Sequence, residues 1–327
     1  MLKHQVLQQL RSCGGFLSGQ QISAQLGVSR AAVWKAVDAL RQDGYEIESM
    51  TRRGYRLVQA TPALCREEIR AALPAAHPWR DLIQVLDSVD STNTAAKNLA
   101  AQGAPEGTVV IADHQTGGRG RLGRSFLSPV GVGTYLSVIL RPQAKPDQIL
   151  HLTAMVADAV CQAVDAACGV QPQIKWTNDL VLNRKKISGI LTELSVEVES
   201  GLVQYVVVGI GLNCNQSEFP PELADIATSI SQCTGHPVDR NRLCAAQIAA
   251  LQQLSRELLT DHAWLERYKA ACLTLGQDVK LVRGDTVRYA YAEDLTPDAA
   301  LIVRYPDGSR EAIACGEVSV RGMYGYL

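Results

Sequence analysis

Long apolar runs are missing from these 327 residues, and the longest fall short of the ~20 needed to cross a bilayer as a helix. The N-terminus, Met1-Leu2-Lys3-His4-Gln5, lacks the apolar core of a signal peptide. No C-x-x-C pair occurs. The nine cysteines (13, 65, 161, 168, 214, 233, 244, 272 and 315) are dispersed and have no His-rich neighbour. That spacing argues against a structural zinc site and for reduced thiols, which places the protein in a cytoplasm. Net charge is also nearly absent, at −1 from 32 basic and 33 acidic residues. What is present is ordinary for a soluble globular chain: 46% hydrophobic and 20% charged residues, at a length that suggests two or three domains.

The small net charge hides an asymmetry. Residues 1–60 hold eight Lys/Arg against four acids, so this end is +4 and the remainder −5. A basic module on an acidic body points to a nucleic-acid partner for the module alone. Leu2, Val6, Leu7 and Leu10 predict an amphipathic helix. Ser18-Gly19-Gln20-Gln21 is a capping box, opening a short second helix with Ile22 and Leu26 inward. Gly27 supplies a turn, and Ser29 is placed to cap a third helix carrying Val33, Val37 and Leu40, which Gly44 stops. Two helices about a tight glycine turn are the layout of a helix-turn-helix, whose second helix enters the major groove by its N-terminal end. Arg30, Trp34 and Lys35 fall on its outer part. Two short strands follow around Thr51-Arg52-Arg53-Gly54, a wing with Arg52 and Arg53 available to phosphates. The competing reading is a small helical interaction module with incidental charge. Pro62 begins a linker.

The densest chemistry lies in Gln115-Thr116-Gly117-Gly118-Arg119-Gly120-Arg121-Leu122-Gly123-Arg124, directly after the apolar run Val109–Ala112. Glycine lets backbone approach a ligand closely, and arginine brings a permanent charge with forked donors for carboxylate or phosphate. A strand running into such a loop reads as an anion site; a solvated basic connector would not need so many glycines. Gly118-x-Gly120-x-x-Gly123 also matches a dinucleotide fingerprint, but no helix can start at Ser125-Phe126-Leu127-Ser128-Pro129. Near position 140, where an acid is required, stands Arg141.

Residues 63–275 read as mixed α/β. Ser91-Thr92-Asn93 precedes a helix over Ala95–Gln102, Tyr135–Leu140 is a strand, and Ile149, Leu152, Val156, Val160 and Val164 mark a long helix. Ile174–Leu182 bends as two strands about a polar turn, Lys186-Ile187-Ser188-Gly189 opens another strand, and Tyr205–Val208 runs into Gly209-Ile210-Gly211. Lys186 is a point charge suited to phosphate or carboxylate, and Gly189 permits close backbone approach. Beyond 276, short strands joined by Gly284-Asp285, Pro297-Asp298 and Pro306-Asp307-Gly308 imply a small β-barrel.

Five motifs in order, Ser91-Thr92-Asn93, Gly118-Arg119-Gly120-Arg121-x-Gly123-Arg124, Lys175-Trp176-x-Asn178-Asp179-Leu180, Lys186-x-x-Gly189-Ile190-Leu191 and Gly209-Ile210-Gly211-x-Asn213, resemble the motif series of biotin protein ligases. With the helix-turn-helix, the chain resembles the bifunctional bacterial form that attaches biotin and represses the biotin operon. The resemblance covers nearly the whole chain. It implies a winged helix-turn-helix over 1–60, a mixed α/β catalytic domain over 63–275 and an SH3-like C-terminal domain over 276–327. It also implies formation of biotinyl-5′-AMP from biotin and ATP, with magnesium, and transfer of biotin to a lysine of a biotin carboxyl carrier protein. Operator DNA, and a homodimer favoured by the adenylate, are the further partners implied.

By carry-over, Lys186 and Arg121 contact the carboxylate and α-phosphate, and Arg119 and Arg124 support the loop or phosphates. Ser91, Thr92, Asn93 and Gln115 suit an uncharged ureido ring. Gly118, Gly120 and Gly189 allow close approach, Asp179 positions the nucleotide or incoming lysine, Phe126 stacks on adenine, and Arg321 reaches toward the site. No all-protein metal cage is visible. Three departures stand out: Leu122 replaces an Arg or polar residue, Thr177 the usual proline, and Ser125-Phe126 a basic residue and Trp. Two other readings compete: a non-catalytic, small-acid-sensing transcription factor, disfavoured by Lys186, Arg119 and Arg121, and a lipoate-type ligase, disfavoured by the DNA-binding module and the arginine-rich loop.

Overall fold

The computed structural model describes residues 2–42, 44–59, 63–260, 262–314 and the backbone of 319–322. The expected linker at 60–62 lies outside the described residues. The chain forms two compact units, Met1–Ala71 and Ala72–Leu327.

The first unit runs α1 (Leu2–Cys13), α2 (Gly19–Leu26), α3 (Arg30–Gln42), β1 (Glu46–Met50), β2 (Gly54–Gln59) and α4 (Arg66–Ala72). The apolar positions read from helical spacing meet in one core of Val6, Leu7, Leu10, Ile22, Val33, Val37 and Leu40. The caps form as expected: Ser18 and Gln21 exchange hydrogen bonds, Gly27 adopts φ 65°, and the Ser29 hydroxyl accepts from the Ala32 amide at 3.1 Å. β1 and β2 form an antiparallel hairpin, and Leu17 adds a bridge to it through two hydrogen bonds with Tyr55. Gly54, at φ 103°, lies so close to the Leu17 carbonyl that a Cβ would overlap it.

The second unit continues with β3 (Ile83–Leu86), α5 (Thr92–Ala101), β4 (Val109–Ala112), β5 (Gly133–Leu140), α6 (Leu152–Cys168), β6 (Gln173–Lys175), β7 (Asp179–Leu182), β8 (Lys185–Val196) and β9 (Val203–Asn213). Then come α7 (Pro221–Ala224), α8 (Ile230–Thr234), α9 (Arg240–Glu257), α10 (Ala263–Ala271), β10 (Asp278–Arg283), β11 (Thr286–Leu295), β12 (Leu301–Arg304), β13 (Arg310–Ile313) and β14 (Ser319–Gly322). The seven strands β3–β9 form one sheet in the order β3-β4-β5-β9-β8-β7-β6, in which only β3 and β4 pair in parallel. α5 packs on β4, β5 and β9 through Ala96, Ala100, Val110, Ile139 and Val207. Among the described residues, Pro146–Cys168 is the one helical segment long and apolar enough for a membrane span. Its apolar window is 72% buried, as in the core helix of a domain.

β10–β14 form a five-stranded antiparallel sheet, order β13-β12-β11-β10-β14, where the strand spacing predicts a small β-barrel and the family resemblance implies an SH3-like module. The architecture is thus an N-terminal winged helix-turn-helix, a central mixed α/β domain and a small C-terminal β domain. Trp176 ties the last two together: its indole N–H donates to the Ala299 carbonyl at 2.9 Å. The eight described cysteines are all free thiols, and burial pushes the Cys214 thiol up to about 12.

Candidate functional site

The β8–β9 ladder places Gly189 opposite Gly211 and Leu191 opposite Gly209. The missing side chains leave a floor flush with the backbone. Above it is a cavity of about 600 Å³, walled by the 115–126 loop and by Asn178, Asp179 and Lys186. Other side chains fill the space that the glycines vacate. A Cβ on Gly211 would stand 2.5 Å from the Phe126 ring, and one on Gly209 would overlap Asn93 Oδ1 and lie 2.7 Å from its Cγ. These φ values are not left-handed, so close approach is the reason for glycine here.

One end of the cavity is neutral and polar. α5 starts at Ser91 and delivers Ser91, Thr92 and Asn93, all buried, toward the floor. Gln115 Oε1 accepts from the Thr92 amide at 2.8 Å and lies 3.1 Å from its hydroxyl, while Gln115 Nε2 donates to Ser128 Oγ at 2.9 Å. Ser137 Oγ lies 2.6 Å from Asn93 Oδ1 and 2.8 Å from Thr92 Oγ1. Asn93 Nδ2 donates to the Leu191 carbonyl at 3.3 Å and to Glu193 at 2.8 Å, and Lys97 holds the other Glu193 oxygen at 2.6 Å. Burial raises the Glu193 carboxyl, but hydrogen bonds from Lys97 and Asn93 outweigh it and hold the group below the usual carboxylate range.

The other end is charged. Lys186 Nζ donates to Asp179 Oδ1 at 2.6 Å, Asn178 Nδ2 donates to the same oxygen at 3.2 Å, and Arg121 donates to Asn178 Oδ1 at 2.8 Å. A second bond from Asn178 Nδ2 to the Ile190 carbonyl, 3.0 Å, locks the amide's orientation. Arg121, from the loop, and Lys186, from β8, are therefore indexed to each other through Asn178 and Asp179.

The glycine-arginine loop is a tight hairpin. Phe126 N donates to the Gly118 carbonyl at 2.9 Å, Gly120 N to the Arg124 carbonyl at 2.7 Å, and a 3₁₀ turn over Arg121–Gly123 closes the tip. Gly118 has no room for a side chain against the Phe126 carbonyl. Leu122 sits at the tip with φ 56°, a conformation rare for a residue with a side chain, and is 68% exposed. Arg119 and Arg124 line the cavity and are exposed. The Arg321 side chain lies outside the described residues.

In the first unit, Ser29 caps α3, whose exposed face carries Arg30, Trp34 and Lys35; Trp34 is 56% exposed. The β1–β2 turn exposes Arg52 and Arg53. Phe16 has guanidinium carbons of Arg53 and Arg56 at 4.5 and 4.9 Å from its ring centre, and Arg56 also pairs with Glu48 at 2.6 Å. Sequence reading quotes Asn178 and Gly209–Gly211 within motifs without a role, and passes over Ser137, Glu193 and Phe16. These residues act through contacts distant in sequence, for which no local signal exists.

Comparison with known proteins finds three family matches along the chain. The biotin/lipoate A/B protein ligase family matches residues 85–213, an HTH domain family residues 3–56, and the biotin protein ligase C terminal domain family residues 274–321. A bifunctional ligase/repressor BirA of Bacillus spizizenii is 38% identical over 301 residues, 90% of this chain and 91% of that protein. The chain belongs to the biotin protein ligase family. Another family member, the bifunctional ligase/repressor BirA of Bacillus subtilis, is 44% identical over 75% of each chain. A biotin protein ligase from Aquifex aeolicus, solved in complex with biotin and ATP, superposes with TM-score 0.63 at 30% identity, covering 73% of this chain and 98% of that one.

Proposed function

We propose that this chain is a biotin–[carboxyl carrier protein] ligase which forms biotinyl-5′-AMP from biotin and ATP, passes biotin to a carrier lysine, and represses transcription through its N-terminal module. Residues 1–60, 63–275 and 276–327 divide these tasks. One observation carries the reading: a single cavity, over a glycine floor, joins neutral polar side chains to Arg121 and Lys186, which are linked through Asn178 and Asp179. The neutral end suits an uncharged cyclic urea, since Ser91, Thr92, Asn93 and Gln115 offer only neutral donors and acceptors.

Two anions must then meet at the charged end. A biotin carboxylate oxygen attacks the α-phosphorus of ATP, and the P–O bond to pyrophosphate breaks. Such transfers depend on positioning and charge stabilisation more than on covalent help. Arg121 and Lys186 hold the carboxylate and α-phosphate against their repulsion, while Arg119 and Arg124 support the phosphates and the loop. In the second step the carrier lysine's neutral amine attacks the adenylate carbonyl carbon, and AMP leaves with the electrons of the C–O bond. Asp179 positions the nucleotide or that amine, and Phe126, already on the glycine floor, covers the adenine.

Among the described residues no group of three His, Cys, Asp or Glu could hold a metal ion, and Asp179 is the one acid lining the cavity. This donor set fits a Mg²⁺ that arrives on the ATP phosphates and keeps most of its ligands from them and from water. When bound, the ion would neutralise phosphate charge; Asp179 is the residue that could add a ligand.

On DNA, Ser29, Arg30, Trp34 and Lys35 on α3 face the major groove, and Arg52 and Arg53 on the wing meet phosphates. A two-fold operator requires a homodimer, which the adenylate favours by ordering the loop at 117–126. Sedimentation with and without biotinyl-5′-AMP checks that step; equal dimer affinity refutes it. The transfer reaction is tested by mass spectrometry of a carrier domain incubated with ATP, biotin and the chain. One biotinyl adduct on one lysine is expected, and an unmodified carrier contradicts the reading.

A further inference from the structure

We propose that Glu193 is a positioning residue that sets the hydrogen-bond polarity of the neutral end of the cavity, acting through Asn93. The proposal rests on the reading of that end as the site for a cyclic urea. An asparagine amide has two orientations of nearly equal shape but opposite donor–acceptor order. Here the choice is forced. The Leu191 carbonyl and the Glu193 carboxylate only accept, so both must face Asn93 Nδ2, at 3.3 and 2.8 Å. Asn93 Oδ1 must therefore face Ser137, which spends its single proton there at 2.6 Å. Ser137 Oγ is then left as an acceptor for the Thr92 hydroxyl, 2.8 Å away, which takes the proton that Thr92 would otherwise offer Gln115 Oε1 at 3.1 Å.

The far side of the network is fixed by a second donor that cannot reverse. The Thr92 amide donates to Gln115 Oε1 at 2.8 Å, which turns Gln115 Nε2 to Ser128 and leaves its second proton unspent. Asn93 cannot swing away, because it lies flush on Gly209, where a Cβ would overlap it. Lys97, 2.6 Å from the other Glu193 oxygen, holds the carboxylate in place. Lining the cavity, Gln115 Nε2 is then left as a donor and the remaining lone pairs of Asn93 Oδ1 and Thr92 Oγ1 as acceptors, the order that complements a carbonyl flanked by N–H groups. A guanidine-like ring, in which a further donor replaces the carbonyl, does not match.

The test compares biotin with 2-iminobiotin, its guanidino analogue, in binding to the full chain and in pyrophosphate exchange. In Glu193→Gln, Lys97 draws the new amide oxygen to itself and turns its NH₂ toward Asn93, which opposes the present Asn93 orientation and leaves only the 3.3 Å bond to the Leu191 carbonyl to hold it. The biotin-to-iminobiotin affinity ratio should fall about tenfold, with KM for biotin rising and kcat and KM for ATP unchanged within about twofold. Adding Lys97→Met frees the introduced amide oxygen to turn back to Asn93, so the double variant should recover most of the ratio. A merely structural role predicts no such recovery. If Glu193→Gln does not fold, Ser137→Ala carries the test, since it breaks the next link and should lower the same ratio. An unchanged ratio in the folded single variant, or in Ser137→Ala, overturns the proposal. Absence of biotin binding by the unmodified chain instead overturns the ligase reading.

Discussion

Gly209→Ala is a sharp perturbation of the cavity because the added methyl has one place to go. Gly209 lies in β9 opposite Leu191, and its φ is not left-handed, so alanine costs the strand little. The new Cβ would overlap Asn93 Oδ1 and lie 2.7 Å from Cγ, well inside ordinary contact of about 3.5–4 Å. Asn93 cannot yield without giving up bonds to Ser137, Leu191 and Glu193. Losing two of these at about 1 kcal/mol each weakens biotin binding by roughly 30-fold. Gly189→Ala is the contrast. Its Cβ would press only on the flexible end of Lys186, 3.0 Å from Nζ, and would meet the Phe126 ring at an ordinary 3.5 Å, so biotin affinity should change less than about threefold. Titration calorimetry with biotin, alongside melting curves, measures both. Biotin binding by folded Gly209→Ala within about twofold of the unmodified chain refutes the argument.

Two further perturbations test the charged end and the wing. Arg121→Ala removes a half-buried cation and frees Asn178, and should lower the rate of adenylate formation by about 10²–10³ in single-turnover assays. A loss below about threefold would remove Arg121 from the reaction. Phe16→Leu keeps apolar bulk but deletes the ring against which Arg53 and Arg56 lie, so affinity for random-sequence duplex DNA should fall and the slope of log K against log salt should shrink by about one. An unchanged slope would mean that the wing arginines do not need the ring.

Local chemistry made parts of this molecule legible in the sequence. The capping box at Ser18, the turn at Gly27 and the helical spacing of Val33, Val37 and Leu40 each depend on neighbours within four or five residues, and each forms in the structure. The strand feeding the glycine-arginine loop, Val109–Ala112, was legible for the same reason. The sheet order was not. Pairing of β5 with β9 joins Gly133–Leu140 to residues some 70 positions later, and nothing near either strand specifies the partner. The links Asn93–Glu193 and Arg121–Asn178 likewise span 100 and 57 positions. Gly209 illustrates the boundary: its presence is read at once, whereas its purpose, a seat for Asn93, exists only after β9 and α5 have packed.

Everything proposed for this chain requires that one cavity activate the carboxylate of biotin with ATP. ATP–pyrophosphate exchange measures that step without carrier protein or DNA, and takes three arms: biotin, lipoate and neither acid. Exchange should depend on biotin and stay at background with lipoate or with no acid. Background exchange in the presence of biotin, or equal exchange with lipoate, would contradict it.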